Sequence, residues 1–208
     1  LAAAIVAAVC IAAAPAVAQS SLNRTRVWTG DGSWRDLNNW ENNWPAYRDN
    51  DIIFGSGSHT AVFDLDMSFG KGPLESPDTF YSMTFTGDAD IAIVPNSPTN
   101  YFSLNFDPRD GADPPYTIVN DTNNGQTISP GDIRAYGTQI WQQSTAAGSL
   151  QVNAVNLRFD DLTFDAAAGS TSYIASDEMG RRMSFGFVGA FTKTGGGTLN
   201  IDTLSGQH

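Results

Sequence analysis

Along most of the chain, apolar residues, many of them β-branched or aromatic, fall in short runs, several with polar residues at alternate positions. Asp51-Ile52-Ile53-Phe54, Thr60-Ala61-Val62-Phe63 and Ile91-Ala92-Ile93-Val94 are such runs, Tyr101-Phe102-Ser103-Leu104-Asn105-Phe106 and Leu150-Gln151-Val152-Asn153 add the alternation, and Gly, Asn, Asp, Ser or Pro stand between them. A period of two places alternate side chains on opposite faces of a strand. Beyond residue 18, no window of a dozen residues combines helical apolar spacing with helix-forming residues, so the pattern predicts an all-β chain. Tight hairpin dipeptides are scarce, Asn124-Gly125 being the clearest. Strands that do not fold straight back must stack on the equivalent strand of another coil. The expected architecture is a right-handed parallel β-helix (solenoid), with a β-sandwich as the alternative. The Pro-containing stretches Gly70–Asp78 and Asp107–Pro115 are expected to be insertions from the coil.

The beginning differs from this pattern. Residues 1–18 carry no charge, are built largely from Ala, Val, Ile and Leu, and end in Ala16-Val17-Ala18 ahead of Gln19-Ser20-Ser21. An apolar run closed by a small-x-small site predicts a cleaved secretion signal, with 19–50 as a Trp-rich N-terminal cap and 51–208 as the solenoid. The one cysteine, Cys10, falls in the removable segment. An exported chain without disulfides must be held by hydrogen-bond ladders and packed side chains. The formal net charge of −11 belongs wholly to the remainder and disfavours binding to nucleic acid. An apolar content of 41% is enough for a folded core.

Two motifs carry more information. Trp28-Thr29-Gly30-Asp31-Gly32-Ser33-Trp34 leads through Asn39-Trp40 and Trp44-Pro45 to Asp51-Ile52-Ile53-Phe54, and Phe191-Thr192-Lys193-Thr194-Gly195-Gly196-Gly197-Thr198-Leu199-Asn200-Ile201 stands near the other end. Together they resemble the opening and the signature repeat of bacterial autotransporter passengers that carry the autotransporter-associated β-strand repeat. Phe191 and Ile201 take the places of the family's leading and last leucines, and the middle of the chain supports the likeness only through its strand pattern. The resemblance implies a structural or adhesive segment at the bacterial cell surface, associated with the outer membrane. It also implies a surface glycan or a host or neighbour-cell ligand as partner, and a translocator barrel beyond residue 208. The alternative is a secreted β-helical protein that binds or degrades polysaccharide.

Physical readings of the same residues stand beside the family one. Gly195 and Gly197 are expected to allow positive φ at a coil corner, Leu199 and Ile201 to point inward, and Lys193 to be an exposed turn residue. Trp28, Trp34, Trp40 and Trp44 could stack on sugars, but a terminal coil must cover its open core and strand edges, so capping is the preferred role. Reactive chemistry is sparse. His59 and His208 are the only histidines, too few for a usual zinc site, and no Gly-x-Ser-x-Gly elbow supports a triad. Carboxylates at Asp64, Asp66, Asp88, Asp90, Asp160, Asp161 and Asp165 could serve glycoside chemistry or calcium, aided by Arg134, Arg158, Arg181 or Arg182. Turn and solvated-face roles are the expectation for them, and no catalytic residue, metal or cofactor is assigned.

Overall fold

The computed structural model describes residues 25–43, 50–63, 79–95, 103–106, 116–129, 132–154, 156–175, 184–187 and 189–202. The expected signal at 1–18, both insertions, Trp44, Asp64, Asp66, Arg181, Arg182 and His208 lie outside these residues. In chain order the strands are β1 (Thr25–Trp28), β2 (Gly32–Ser33), β3 (Asp51–Phe54), β4 (Ser58–Phe63), β5 (Thr79–Phe80), β6 (Ser82–Phe85), β7 (Asp90–Pro95), β8 (Ser103–Phe106) and β9 (Tyr116–Asn120). They continue as β10 (Gly125–Ile128), β11 (Asp132–Gln143), β12 (Ser149–Asn153), β13 (Asn156–Ala166), β14 (Thr171–Ala175), β15 (Ser184–Phe187), β16 (Phe191–Thr194) and β17 (Thr198–Asp202). Two short 3-10 turns, Leu37–Asn39 and Glu41–Asn43, are the helical elements among the described residues.

Every paired strand is parallel to its neighbours, and the chain forms a β-solenoid. One ladder runs β1-β3-β6-β9-β11-β13 and continues to β16; a second, 7-stranded sheet runs β2-β4-β7-β10-β12-β14-β17. A third ladder links β5, β8, the first halves of β11 and β13, and β15. Each sheet takes one strand per coil in chain order, which excludes the β-sandwich alternative, since its connections would produce antiparallel pairs. The sole antiparallel contact among the described residues is an isolated bridge between Trp28 and Trp40. Where β11 turns from the third ladder into the first, its register with β13 shifts between Ala135 and Thr138, and Gly137 takes φ +65 there. An extra residue at a bulge sharpens the bend of a strand.

The inward faces are columns of side chains, one residue per coil. On the first sheet Trp28, Phe54, Phe85, Asn120, Gln143 and Ala166 are successive register partners. Beside them run Ile52, Met83, Ile118, Trp141 and Phe164. On the second sheet the column is Ala61, Ile93, Ile128, Val152 and Ile174, all buried. Phe54 and Phe85 stack with centroids 4.8 Å apart at 14°. Burying a side chain of this size stabilises by about 1.5–3 kcal/mol, so the columns are the main cohesive term between coils.

The aromatic column changes character at Asn120. Its Nδ2 donates to Gln143 Oε1 at 2.7 Å and to the carbonyl of Ser149 at 2.9 Å, while its Oδ1 accepts from the backbone N–H and hydroxyl of Thr122. Gln143 Nε2 donates onward to Thr145. On the second sheet Gln126 is buried between Ile91 and Leu150, where its Oε1 accepts from the Ile91 N–H at 2.9 Å and its Nε2 donates to the Ala89 carbonyl at 2.6 Å. Ser172 accepts from the Leu150 N–H in the same way. Buried polar groups are tolerated only when bonded, and these amides satisfy backbone groups that the ladder leaves open at the corners.

The glycine corner of residues 195–197 joins β16 to β17, and its two outer glycines serve different ends. Gly195 adopts φ +71, and a Cβ there would fall on the carbonyl of Ala166. Gly197, expected to share the left-handed conformation, does not have positive φ; it is needed because a Cβ would strike the Ala167 carbonyl and the Ser170 hydroxyl of the preceding coil. Replacing Gly195 with Ala is expected to cost about 2 kcal/mol or more, from left-handed strain plus displacement of the neighbouring backbone. Gly125→Ala, where only the Ser149 hydroxyl must give, is expected to change stability by less than about 1 kcal/mol. Urea titration of both variants checks the difference, and equal midpoints would contradict it.

Candidate functional site

The tryptophan region is built from β1 outward. Trp28 ends β1, Trp34 follows β2, and the chain then returns through the two 3-10 turns so that Trp40 bridges Trp28. Asp36 starts the first turn by accepting the Asn38 N–H at 3.0 Å, and Asn42 and Asn43 take φ 61 and 56, a conformation asparagine tolerates better than most residues. Asn39 ties the return to the first coil: its Nδ2 donates to the Ser33 carbonyl at 2.9 Å, and its Oδ1 accepts from the Asp31 N–H at 3.2 Å. Gly30 leaves room for that side chain, since a Cβ there would overlap Asn39 Oδ1. The Thr29 N–H donates to the Asn39 carbonyl, so residues 39 and 40 cover the edge of β1.

The indoles themselves are buried, at 1%, 1% and 2% exposure for Trp28, Trp34 and Trp40. Trp28 and Trp34 stack at 5.6 Å, while Trp40 meets both edge-on, at 5.0 and 4.7 Å. Trp40 Nε1 donates to the Trp34 carbonyl at 2.8 Å. Phe54 and Phe80 extend the cluster. No face of these indoles is open for a sugar ring, so the platform weighed as an alternative is not formed by Trp28, Trp34 and Trp40. The region also supplies strands of the solenoid, because β1 pairs with β3 and β2 with β4.

The repeat motif occupies one corner of the solenoid. Phe191 packs on Phe159 with centroids 5.8 Å apart, and Leu199 lies half-buried against the core. Lys193 is exposed and its Nζ donates to the Gly195 carbonyl at 2.7 Å. Ile201, expected to point into the core, is 42% exposed although it continues the column after Ile174, because among the described residues β17 pairs with β14 alone.

The carboxylates are dispersed along the coil junctions. Asp31 accepts the Thr60 N–H at 2.7 Å, Asp88 the Gly57 N–H at 3.3 Å, Asp160 the Gly137 N–H at 2.8 Å, and Asp161 the Ala190 N–H at 2.8 Å. Asp165 accepts from Gln142 on one side and Thr194 on the other. Among the described residues no three His, Cys, Asp or Glu side chains are grouped for a metal ion. His59 sits half-buried in register with Ile91. The side chains of Arg134 and Arg158 lie outside the described set. Compared with protein-family models, curated proteins and solved structures, the chain matches none.

One exposed aromatic escaped the sequence reading. Tyr173 stands on the outer face of β14 between the buried Ser172 and Ile174, and is 42% exposed. The signal for it was an aromatic at the outward position of an alternating run.

The cluster geometry fixes what a truncation does. Trp40→Ala removes a fully packed indole together with its hydrogen bond to the Trp34 carbonyl, so a loss of about 3–5 kcal/mol is expected. Thermal or urea unfolding measures it; an unchanged transition would contradict the packing described here.

Proposed function

We propose that this chain is a structural and adhesive segment of an exported bacterial surface protein of the autotransporter passenger type, serving as a solenoid stalk that displays its outer faces. The observation that carries the reading is how the polar side chains are engaged. Asp31, Asp88, Asp160 and Asp161 accept backbone N–H groups across coil junctions, and Asn120, Gln126 and Gln143 bond within the coil interior. Chemistry of that kind serves stacking, which suits a long rigid spacer.

The motif resemblance supports the same reading. Phe191–Ile201 forms one β-corner-β unit, the kind of element that a passenger repeats, and its Gly195 and Gly197 are each required sterically. The acidic charge of −11 keeps such a surface soluble outside the cell. In this reading the segment before Gln19 directs export, and a membrane-embedded translocator is encoded beyond residue 208.

Expression of the full-length gene, epitope-tagged after residue 202, in a Gram-negative host tests the proposal. The tag is expected to be removed by protease added to intact cells, and the exported chain to begin at Gln19 or within a residue or two of it. A cytoplasmic product that retains Leu1 and resists the protease would refute it.

A further inference from the structure

The outer face of the second sheet has a composition of its own. Through consecutive coils its central column reads Thr60, Ala92, Thr127, Gln151, Tyr173 and Asn200, each in register with the next. Thr171 and Thr198 form a parallel row on one side. Every residue of the column but Ala92 bears a hydroxyl or an amide, and one of them, Tyr173, is a large aromatic. Among the described residues the Tyr173 hydroxyl and the Asn200 amide make no hydrogen bond within the chain, so both are open to a ligand.

Gln151 is held differently. Its Nε2 donates to Asn153 Oδ1 at 3.0 Å, and Asn153 Nδ2 donates to the Ser129 hydroxyl at 3.0 Å, an anchored chain that leaves Gln151 Oε1 as a fixed acceptor. Tyr173 therefore lies between two amides, Gln151 on the preceding coil and Asn200 on the next, with strands about 4.7–4.9 Å apart. An aromatic ring offers a C–H-binding face, and flanking amides offer both donors and acceptors to hydroxyl groups.

We propose that this strip, centred on Tyr173 with Gln151 and Asn200, is a binding site for a neutral polysaccharide laid along the solenoid axis. Charge selects the ligand class. The strands of the second sheet contain no Lys or Arg, and Asp90 and Asp202 stand near the ends of the strip. Anionic glycans, phosphates and acidic headgroups are thus disfavoured. A protein partner would call for a cluster of apolar anchors, whereas Tyr173 is alone among Thr, Gln and Asn. An extended sugar polymer meets a new coil at roughly each ring, so a single column can address successive residues. The site goes beyond the stalk role and does not depend on it: it predicts binding by purified protein, wherever the chain resides.

Isothermal titration of the purified full chain with cellohexaose, xylohexaose and mannohexaose, and with a heparin hexasaccharide as anionic control, tests the proposal. At least one neutral hexasaccharide is expected to bind and heparin not to. Tyr173→Ala is expected to weaken binding by about tenfold or more, Asn200→Ala less, and Tyr173→Phe to remain within about threefold of the parent. Because Tyr173 is exposed, its Ala variant is expected to keep the parental melting temperature, which separates lost binding from lost fold. Failure of all three neutral probes to bind, preference for heparin, or undiminished binding by Tyr173→Ala would overturn the assignment. Failure of surface display, by contrast, would leave this titration unaffected.

Discussion

Parallel coil-on-coil stacking in register is the constraint on which the rest depends. Among the described residues no tight hairpin fixes which residue faces which, and a slip of one position would turn every inward side chain to solvent. Register must therefore be written into the columns themselves. Phe54 lies on Phe85, Ile128 on Val152, Asn120 on Gln143, and on the outer face Asp51 accepts from Ser82 at 2.9 Å. A slip would part Asn120 from Gln143 and Asp51 from Ser82 and leave buried amides without their partners, so the polar steps within the columns discriminate between registers that the aliphatic steps alone would tolerate.

The acidic composition acquires a physical role in the same frame. A corner exposes backbone N–H groups that no ladder partner reaches, and an aspartate on the adjoining coil can accept them. Asp88, Asp160 and Asp161 do this at bends, and Asp31 does it for Thr60 in β4 just beyond the end of the short β2, across sequence separations of 31, 23, 29 and 29 residues. Coils of unequal length are thereby joined at their bends, and the carboxylates are distributed along the molecule rather than gathered at one point.

Much of this was legible in the sequence. Period-two alternation was enough to predict strands, and the scarcity of hairpin signals favoured parallel coils. The spaced tryptophans beside the first strand gave away a buried aromatic cluster near the N-terminal end. The buried amides were not legible, because Asn120, Gln126 and Gln143 belong to residue types that mark turns and outer faces elsewhere in this same chain. Unequal coils hid the repeat: the step from Asn120 to Gln143 is 23 residues, but that from Asp51 to Ser82 is 31. Gly197 was misjudged because close approach and positive φ select the same residue. Trp28, Trp34 and Trp40 drew attention as sugar-binding candidates by residue type alone, while Tyr173, less conspicuous in composition, is the exposed aromatic among the described residues.

A double-mutant cycle on Asn120 and Gln143 tests in-register stacking most directly. Each residue is changed to Ala singly and together, and unfolding free energies are measured by urea titration. Side chains bonded across adjacent coils should show a coupling energy of about 1–3 kcal/mol, whereas Asn120 paired with Asn39, which bonds within the first coil and shares no partner with it, should be additive within about 0.5 kcal/mol. Additivity of Asn120 with Gln143 would contradict the register on which the fold is built.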